Sequence, residues 1–252
     1  VSNKLELLNM LLKKHLVTDV SELIAIKTNL AEKVSVTEKL DDTIAEKQNE
    51  VAIAKKEIDD FAETIHKKRL AAIPSLTKEL EAILQQLGMP NAKFNITLNT
   101  TETYQFNGKD NLSFLFSANK GGAFNELKKA ASGGELSRIM LAIKSILSNY
   151  VQLPSIMFDE IDSGVSGEIS NKMGEIMRSM SQSMQVFTIT HIPQIAAKGN
   201  THFKVYKEDV GEVTQTNLRL LNHDERIVEI AQMLGGVEIS TSAMAHAKQL
   251  LN

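Results

Sequence analysis

The chain has 252 residues, 42% hydrophobic and 23% charged, with a net charge of −3 and no cysteine. That length admits one large domain or two small ones, and the composition is enough for a real core. Disulfides and thiolate metal sites are excluded, no apolar run approaches the ~18 residues of a membrane span, no signal peptide opens the chain, and no global basic surface announces nucleic acid.

Without cysteine a cytosolic setting is favoured. An opening valine that leads straight into helical sequence reads as a piece of something longer. The first predicted element is a short helix over residues 3–15. Asp19 and Glu22 have the spacing of a capping box, so a second helix is predicted from about residue 19 to 72. Within it Leu40, Ile44, Lys47, Val51, Ala54, Ile58, Phe61, Ile65 and Lys68 alternate steps of four and three, and seven of these nine are apolar. This is a heptad seam, which needs a partner helix. No second heptad helix of that length exists here, so the partner is a second copy or a missing N-terminal helix. Pro74 is expected in the first turn of a new helix, 74–87, stopped by Gly88-Met89-Pro90.

The chain changes character near residue 88, which divides a helical arm (1–88) from an α/β part (89–252). Phe94–Leu98, Thr103–Phe106 and Leu112–Phe116 read as strands, with Asn107-Gly108 as a hairpin turn. A helix (132–149), a strand (154–158), a helix (165–181) and a strand (185–190) follow, the order of a buried parallel sheet. Residues 202–206 and 213–220 read as late antiparallel strands, and helices near 223–234 and 240–251 close the chain. Met173, Met177, Met180 and Met184 fall at helical spacing and are read as core packing.

Three stretches carry chemistry. In Ala131-Ser132-Gly133-Gly134-Glu135, Ser132 can cap a helix and Glu135 completes a capping box. Read more sharply, the bare amides of Gly133 and Gly134 at a helix N-terminus hold an anion. In Ser155–Glu160 an apolar strand ends in two carboxylates, either a simple polar terminus or a ligand site at a strand end. There Asp159 suits Mg²⁺ and Glu160 suits deprotonation of a water. A tight loop, Ile161–Gly167, comes next. Phe187–Thr190 is another apolar strand, tipped by His191, which is either a surface residue or a hydrogen-bonding partner for a terminal phosphate.

In order and spacing the three stretches resemble an ATPase of the ABC superfamily. The Asp-Glu pair comes about 25 residues after the paired glycines, and the histidine about 30 after that. The arm ahead of them narrows the resemblance to the structural-maintenance-of-chromosomes-like (SMC-like) branch. Within it, ASGGELSRIMLAIK (131–144), IMFDEIDSGVSGE (156–168) and THIPQIAAKG (190–199) are similar to bacterial DNA repair members. The resemblance implies the C-terminal lobe of an ATPase head, α/β in class, with a long coiled-coil arm. It implies ATP and Mg²⁺ as cofactors. Ser132, Gly133, Gly134 and Glu135 would face the γ-phosphate of a nucleotide held by a second head. Asp159 would be the magnesium residue, Glu160 the catalytic base and His191 the switch histidine. Ser163, Gly164, Val165 and Ser166 would be the D-loop crossing the dimer interface.

The family's P-loop, Gly-x-x-x-x-Gly-Lys-Ser/Thr, occurs nowhere in the chain. The expectation is therefore a returning arm plus a C-terminal lobe, inactive alone, with the P-loop and the outgoing helix in a missing N-terminal lobe. The resemblance also implies DNA ends and a second copy of the protein as partners, no membrane, and a nucleoid-associated place in the cytoplasm. Through residue 88 there are 13 Lys+Arg against 15 Asp+Glu, so the arm is not a basic rod. Lys67, Lys68 and Arg69 are the best local candidates for DNA phosphates, with a solvated helix face as the plain alternative. Two other readings remain at this point: a coiled-coil scaffold with a degenerate head, and a cohesin-like ATPase, which should carry a far longer arm. The adjacent carboxylates and the unbroken Ser-Gly-Gly stretch argue against the scaffold.

Overall fold

The computed structural model describes residues 2–162, 164–165, 167–211, 213–236 and 238–252. Its contacts divide the chain into two compact units, residues 1–65 and 66–252.

The first unit holds helix α1 (Ser2–Lys14) and the greater part of helix α2 (Val20–Gln86). The start of α2 uses the predicted residues in a shifted way. The Asp19 carboxylate accepts from the Ser21 N–H and hydroxyl, and Glu22 reaches back to the Thr18 N–H at 3.1 Å. The acceptors therefore sit one residue off the usual reciprocal box. Along the seam the apolar residues lie in the open, from 36% exposed at Ile65 to 70% at Phe61.

The second unit begins inside α2, which does not break at Pro74. Proline there removes one backbone N–H and disfavours the helix by about 3 kcal/mol. Just beyond it Leu80, Leu84 and Leu87 are almost wholly buried. Each contributes about 1.5–3 kcal/mol, so their burial outweighs the proline and the helix continues. The Ser75 hydroxyl also donates to the Ala72 carbonyl at 2.9 Å in the disturbed turn. Gly88 ends α2 at φ 77°, with its N–H on the Gln85 carbonyl and the Met89 N–H on that of Leu84, the paired bonds of a Schellman cap.

Strands β1 (Lys93–Gln105), β2 (Gly108–Ser117) and β3 (Asn125–Glu126) form an antiparallel sheet in that order. The two strands expected at 94–98 and 103–106 are one strand, interrupted in register between Thr100 and Gln105. Gln105 pairs with Gly108, so the turn falls on Phe106-Asn107, one residue earlier than expected. The positive φ (123°) rests on Gly108, the residue able to take it.

Helix α3 (Leu127–Ala130) is followed by α4 (Gly133–Leu147), which buries Ile139, Leu141, Ala142 and Ile146. Strand β4 (Ser155–Asp159), helix α5 (Gly167–Met180) and strand β5 (Gln185–Ile189) form a βαβ unit with β4 and β5 parallel. Met173, Met177, Met180 and Met184 are buried in the main core with Phe158 and Phe116. Helix α6 (Pro193–Ala196), which the sequence pattern did not reveal, leads to the hairpin β6 (Phe203–Val210) and β7 (Val213–Leu220). A second core joins α7 (His223–Gly235) and α8 (Thr241–Leu251) through Ile230, Ala231 and Ala247. On the β6–β7 hairpin, Phe203, Val205, Leu218 and Leu220 are all exposed. They share one face of the ladder, with Phe203 opposite Leu220 and Val205 opposite Leu218. Lys204, on the other face, bonds Glu229 and Gln232 of α7.

Candidate active site

The Ser132–Glu135 turn forms as the spacing demands. Ser132 is the N-cap of α4, and its hydroxyl accepts from the Glu135 N–H at 3.4 Å. The Glu135 carboxylate accepts from the Ser132 N–H and hydroxyl, each at 2.8 Å. The Ser132 backbone bond is the main reason the Glu135 carboxyl titrates below its ordinary 4.5; burial opposes this, and the Ser132 hydroxyl and Arg138 assist.

Gly133 has no structural need to be glycine within this chain. It does not take a positive φ, and a methyl group on it would meet no atom within 4 Å. At Gly133 the start of α4 thus presents bare backbone to open space, which suits an anion. No described side chain of the β4–β5 pair lies within 4 Å of that methyl position.

The carboxylates and the histidine follow the same end of the β4–β5 pair. In the parallel register Asp159 stands beside Ile189, and the Glu160 N–H donates to the Ile189 carbonyl at 3.1 Å. Glu160 therefore leaves β4 at the same edge where His191 leaves β5, two residues past Ile189. Asp159, Glu160 and His191 are all exposed there. Glu160 has φ 46°, a left-handed conformation that disfavours a non-glycine residue by about 1–2 kcal/mol. Strain of this kind concentrates at working sites, and nothing in the spacing of the sequence foretold it.

The loop beyond is described in part. Gly164 takes φ 75°, and the Val165 N–H reaches the Asp162 carbonyl at 3.3 Å. Ser163 and Ser166 lie outside the described residues. Sequence reasoning also passed over Asp162, which is 1% exposed and accepts a hydrogen bond from Thr190. Its signal was an acidic residue between an apolar strand and a glycine turn, indistinguishable in the sequence from a solvated loop residue.

Among the described residues, no three or more His, Cys, Asp or Glu are grouped to hold a metal by themselves. Asp159 nonetheless suits Mg²⁺. This ion takes hard oxygen donors, keeps several waters, and is commonly held by one or two carboxylates together with substrate phosphates.

The basic cluster on α2 is arranged differently from a free patch. The Arg69 guanidinium donates to Asp110 Oδ2 at 2.7 Å and to the Asn107 carbonyl at 2.9 Å, and His66 Nδ1 lies 2.5 Å from Asp110 Oδ1. Burial pushes the Asp110 carboxyl upward, but the bonds and charges of Arg69 and His66 outweigh it and hold the group below its ordinary value. Arg69 thus ties α2 to the β1–β2 hairpin, while Lys67 and Lys68 are exposed.

No protein-family model matches the chain. Individual relatives do. The DNA repair protein RecN of Halalkalibacterium halodurans is 38% identical over 198 residues, 78% of this chain and 35% of that protein. RecN of Rickettsia conorii is 41% identical over 206 residues, 82% of this chain and 37% of that protein. RecN of Rickettsia bellii is 37% identical over 230 residues, 90% of this chain and 42% of that protein.

The chain belongs to the RecN family. It spans a little over a third of the length of the first two RecN relatives named. Among solved structures, the Smc head domain with a coiled coil and joint from Pyrococcus yayanosii aligns at a TM-score of 0.51 and 18% identity, covering 82% of this chain and 35% of that one. The Smc head with an extended coiled coil from Pyrococcus furiosus, bound to the C-terminal domain of ScpA, aligns at 0.50 and 18%, covering 90% and 52%. At that identity the likeness speaks for the fold: an α/β lobe of SMC type with a long helix, as the RecN-like sequence led one to expect. Among the described residues no helix is long and apolar enough to cross a membrane.

Proposed function

We propose that this RecN-family chain is the returning arm (1–88) and C-terminal lobe (89–252) of an SMC-like ATPase that acts in repair of DNA double-strand breaks. Two heads would close around ATP and tether or bridge DNA ends, and hydrolysis would reset the dimer. The observation that carries the reading is the β4–β5 edge, where parallel pairing gathers Asp159, Glu160 and His191 at the carboxyl ends of two neighbouring strands.

Each residue has a role in the proposed chemistry. Glu160 takes the proton of an attacking water. His191 hydrogen-bonds the terminal phosphate. Asp159 would hold Mg²⁺, which when bound neutralises phosphate charge. The Ser132 hydroxyl and the Gly133 and Gly134 amides would meet the γ-phosphate of a nucleotide carried by the opposing head, where negative charge shifts during transfer. Ser163 to Ser166 would run along that interface. The P-loop would lie in the portion of the relatives that this chain does not span.

The exposed seam from Leu40 to Ile65 would be covered by the outgoing helix of the same protein. The apolar β6–β7 face would be covered by the missing lobe. Lys67 and Lys68 remain candidates for DNA phosphates, with Arg69 contributing chiefly through Asp110. The protein would work in the bacterial cytoplasm at the nucleoid.

The test is ATP hydrolysis by the complete protein, with and without linear duplex DNA. Glu160→Gln is expected to lower kcat by about 10²–10⁴-fold, and this chain alone is expected to show no turnover. Steady hydrolysis by this chain, abolished by the same substitution, would overturn the division of labour between the lobes. A complete protein without ATPase activity would favour the scaffold reading.

A further inference from the structure

The buried carboxylate of Asp162 is not needed for any step above, yet it stands two residues beyond Glu160. Its Oδ2 accepts a hydrogen bond from Thr190 Oγ1, and that same threonine oxygen accepts from the Ile192 N–H at 2.9 Å. A hydroxyl has one hydrogen to give. The polarity of the chain is thereby set: Ile192 N–H to Thr190 hydroxyl to Asp162 carboxylate.

The sequence positions make this link more than a loop contact. Thr190 and Ile192 flank His191, and Asp162 belongs to the turn that leaves Glu160. A single half-buried hydroxyl therefore joins the segment that aims the histidine to the segment that aims the carboxylate. The backbone adds a second tie one step nearer the strands, the Glu160 N–H on the Ile189 carbonyl. Glu160 sits at φ 46° between these two ties, and a strained residue keeps its conformation only where its surroundings over-determine it.

Asp162 also carries an unmet group. Its Oδ1 is buried with no hydrogen-bond partner among the described residues. A core built for stability alone would favour an apolar side chain there, since a half-satisfied buried carboxylate is unfavourable. What the carboxylate provides in exchange is a fixed acceptor for Thr190.

We propose that the Thr190–Asp162 link is a positioning device for the ATPase reaction, holding Glu160 and His191 in one geometry so that water and terminal phosphate are engaged together. The inference rests on the ATPase reading given above. Both residues act through their neighbours. Misplacing a reacting group by about 1 Å can slow chemistry by about 10²-fold, while ground-state binding, made elsewhere, is left alone.

The test uses the complete protein, with kcat and KM for ATP measured for wild type, Glu160→Gln, Thr190→Val, Thr190→Ser and Asp162→Leu. Thr190→Val keeps the branched shape and removes the hydroxyl. It is expected to lower kcat at least about tenfold with KM for ATP within about twofold, while Thr190→Ser stays near wild type. Asp162→Leu fills the same space without an acceptor and carries the same expectation. It also serves if Thr190→Val does not fold, as judged by its melting transition. Wild-type kcat in a folded Thr190→Val or Asp162→Leu variant, a loss confined to KM, or a serine variant as slow as the valine one would overturn the link. A wild-type protein that does not hydrolyse ATP, or a Glu160→Gln variant as fast as wild type, would overturn the ATPase reading instead.

Discussion

Two helices of this molecule begin with the same reciprocal device and differ most in what lies between its parts. Helix α4 opens Ser132-Gly133-Gly134-Glu135 and helix α7 opens Asn222-His223-Asp224-Glu225. In both, the capping side chain accepts from the backbone N–H three residues on, and the glutamate returns to the cap N–H, at 2.8 Å in α4 and 2.9 Å in α7. The box needs its two outer residues and leaves the inner pair free. Helix α7 uses that freedom for stability, since Asp224 in the first turn complements the helix dipole. Helix α4 instead places glycines where neither crowding nor a positive φ calls for Gly133. Capping alone therefore accounts for α7 but leaves α4 unexplained, and the unexplained part is what a phosphate would use.

That contrast can be broken most forcefully at Gly133. In the complete protein Gly133→Ala is expected to slow ATP turnover by about 100-fold, because a methyl group would displace the phosphate from the amides. The same change should raise the unfolding free energy by about 0.4–1 kcal/mol in denaturant melts, because alanine fits this conformation. A variant that is more stable and fully active would reduce α4 to another α7.

Removing the caps is expected to have similar effects on stability and different effects on activity. Ser132→Ala and Asn222→Ala should each destabilise by about 1 kcal/mol. Only the serine change should also lower turnover, and equal activities would erase the distinction.

Acid sharpens the comparison further. The Glu135 carboxyl is held below 4.5 in the folded chain, first by the Ser132 backbone N–H. Its contribution is therefore fully present above that ordinary value and is lost as pH falls through the depressed folded value. Melting curves between neutral pH and pH 3 should flatten in Glu135→Gln, and an unchanged pH profile would contradict the hydrogen-bonding assigned to this carboxylate. The smallest effect belongs to Asp224→Ala, expected to cost about 0.3–1 kcal/mol at low salt and nothing in turnover.

Much of this was legible without coordinates where the determinant is local. The box at Ser132 follows from side chains three residues apart, and the methionines at 173, 177 and 180 follow from helical period. The order helix, strand, helix, strand over 132–190 likewise follows from apolar patterning. The Pro74 break was misread because the opposing term is not local: Leu80, Leu84 and Leu87 keep α2 intact by packing on residues distant in the chain. The tie from Arg69 to Asp110 was not legible for the same reason, since the two lie 41 residues apart.

By itself the sequence determined which residues could perform chemistry at each strand end and helix start, because spacing and side-chain type decide hydrogen bonding within a turn. It also determined the family, through three short stretches. Only the tertiary structure decided that Asp159, Glu160 and His191 share an edge, that Glu160 is held at φ 46°, and that Asp162 is buried against Thr190. These depend on the parallel pairing of two strands about 30 residues apart. Long-range pairing of that kind is set by what the whole core buries, and no local run of residues encodes it.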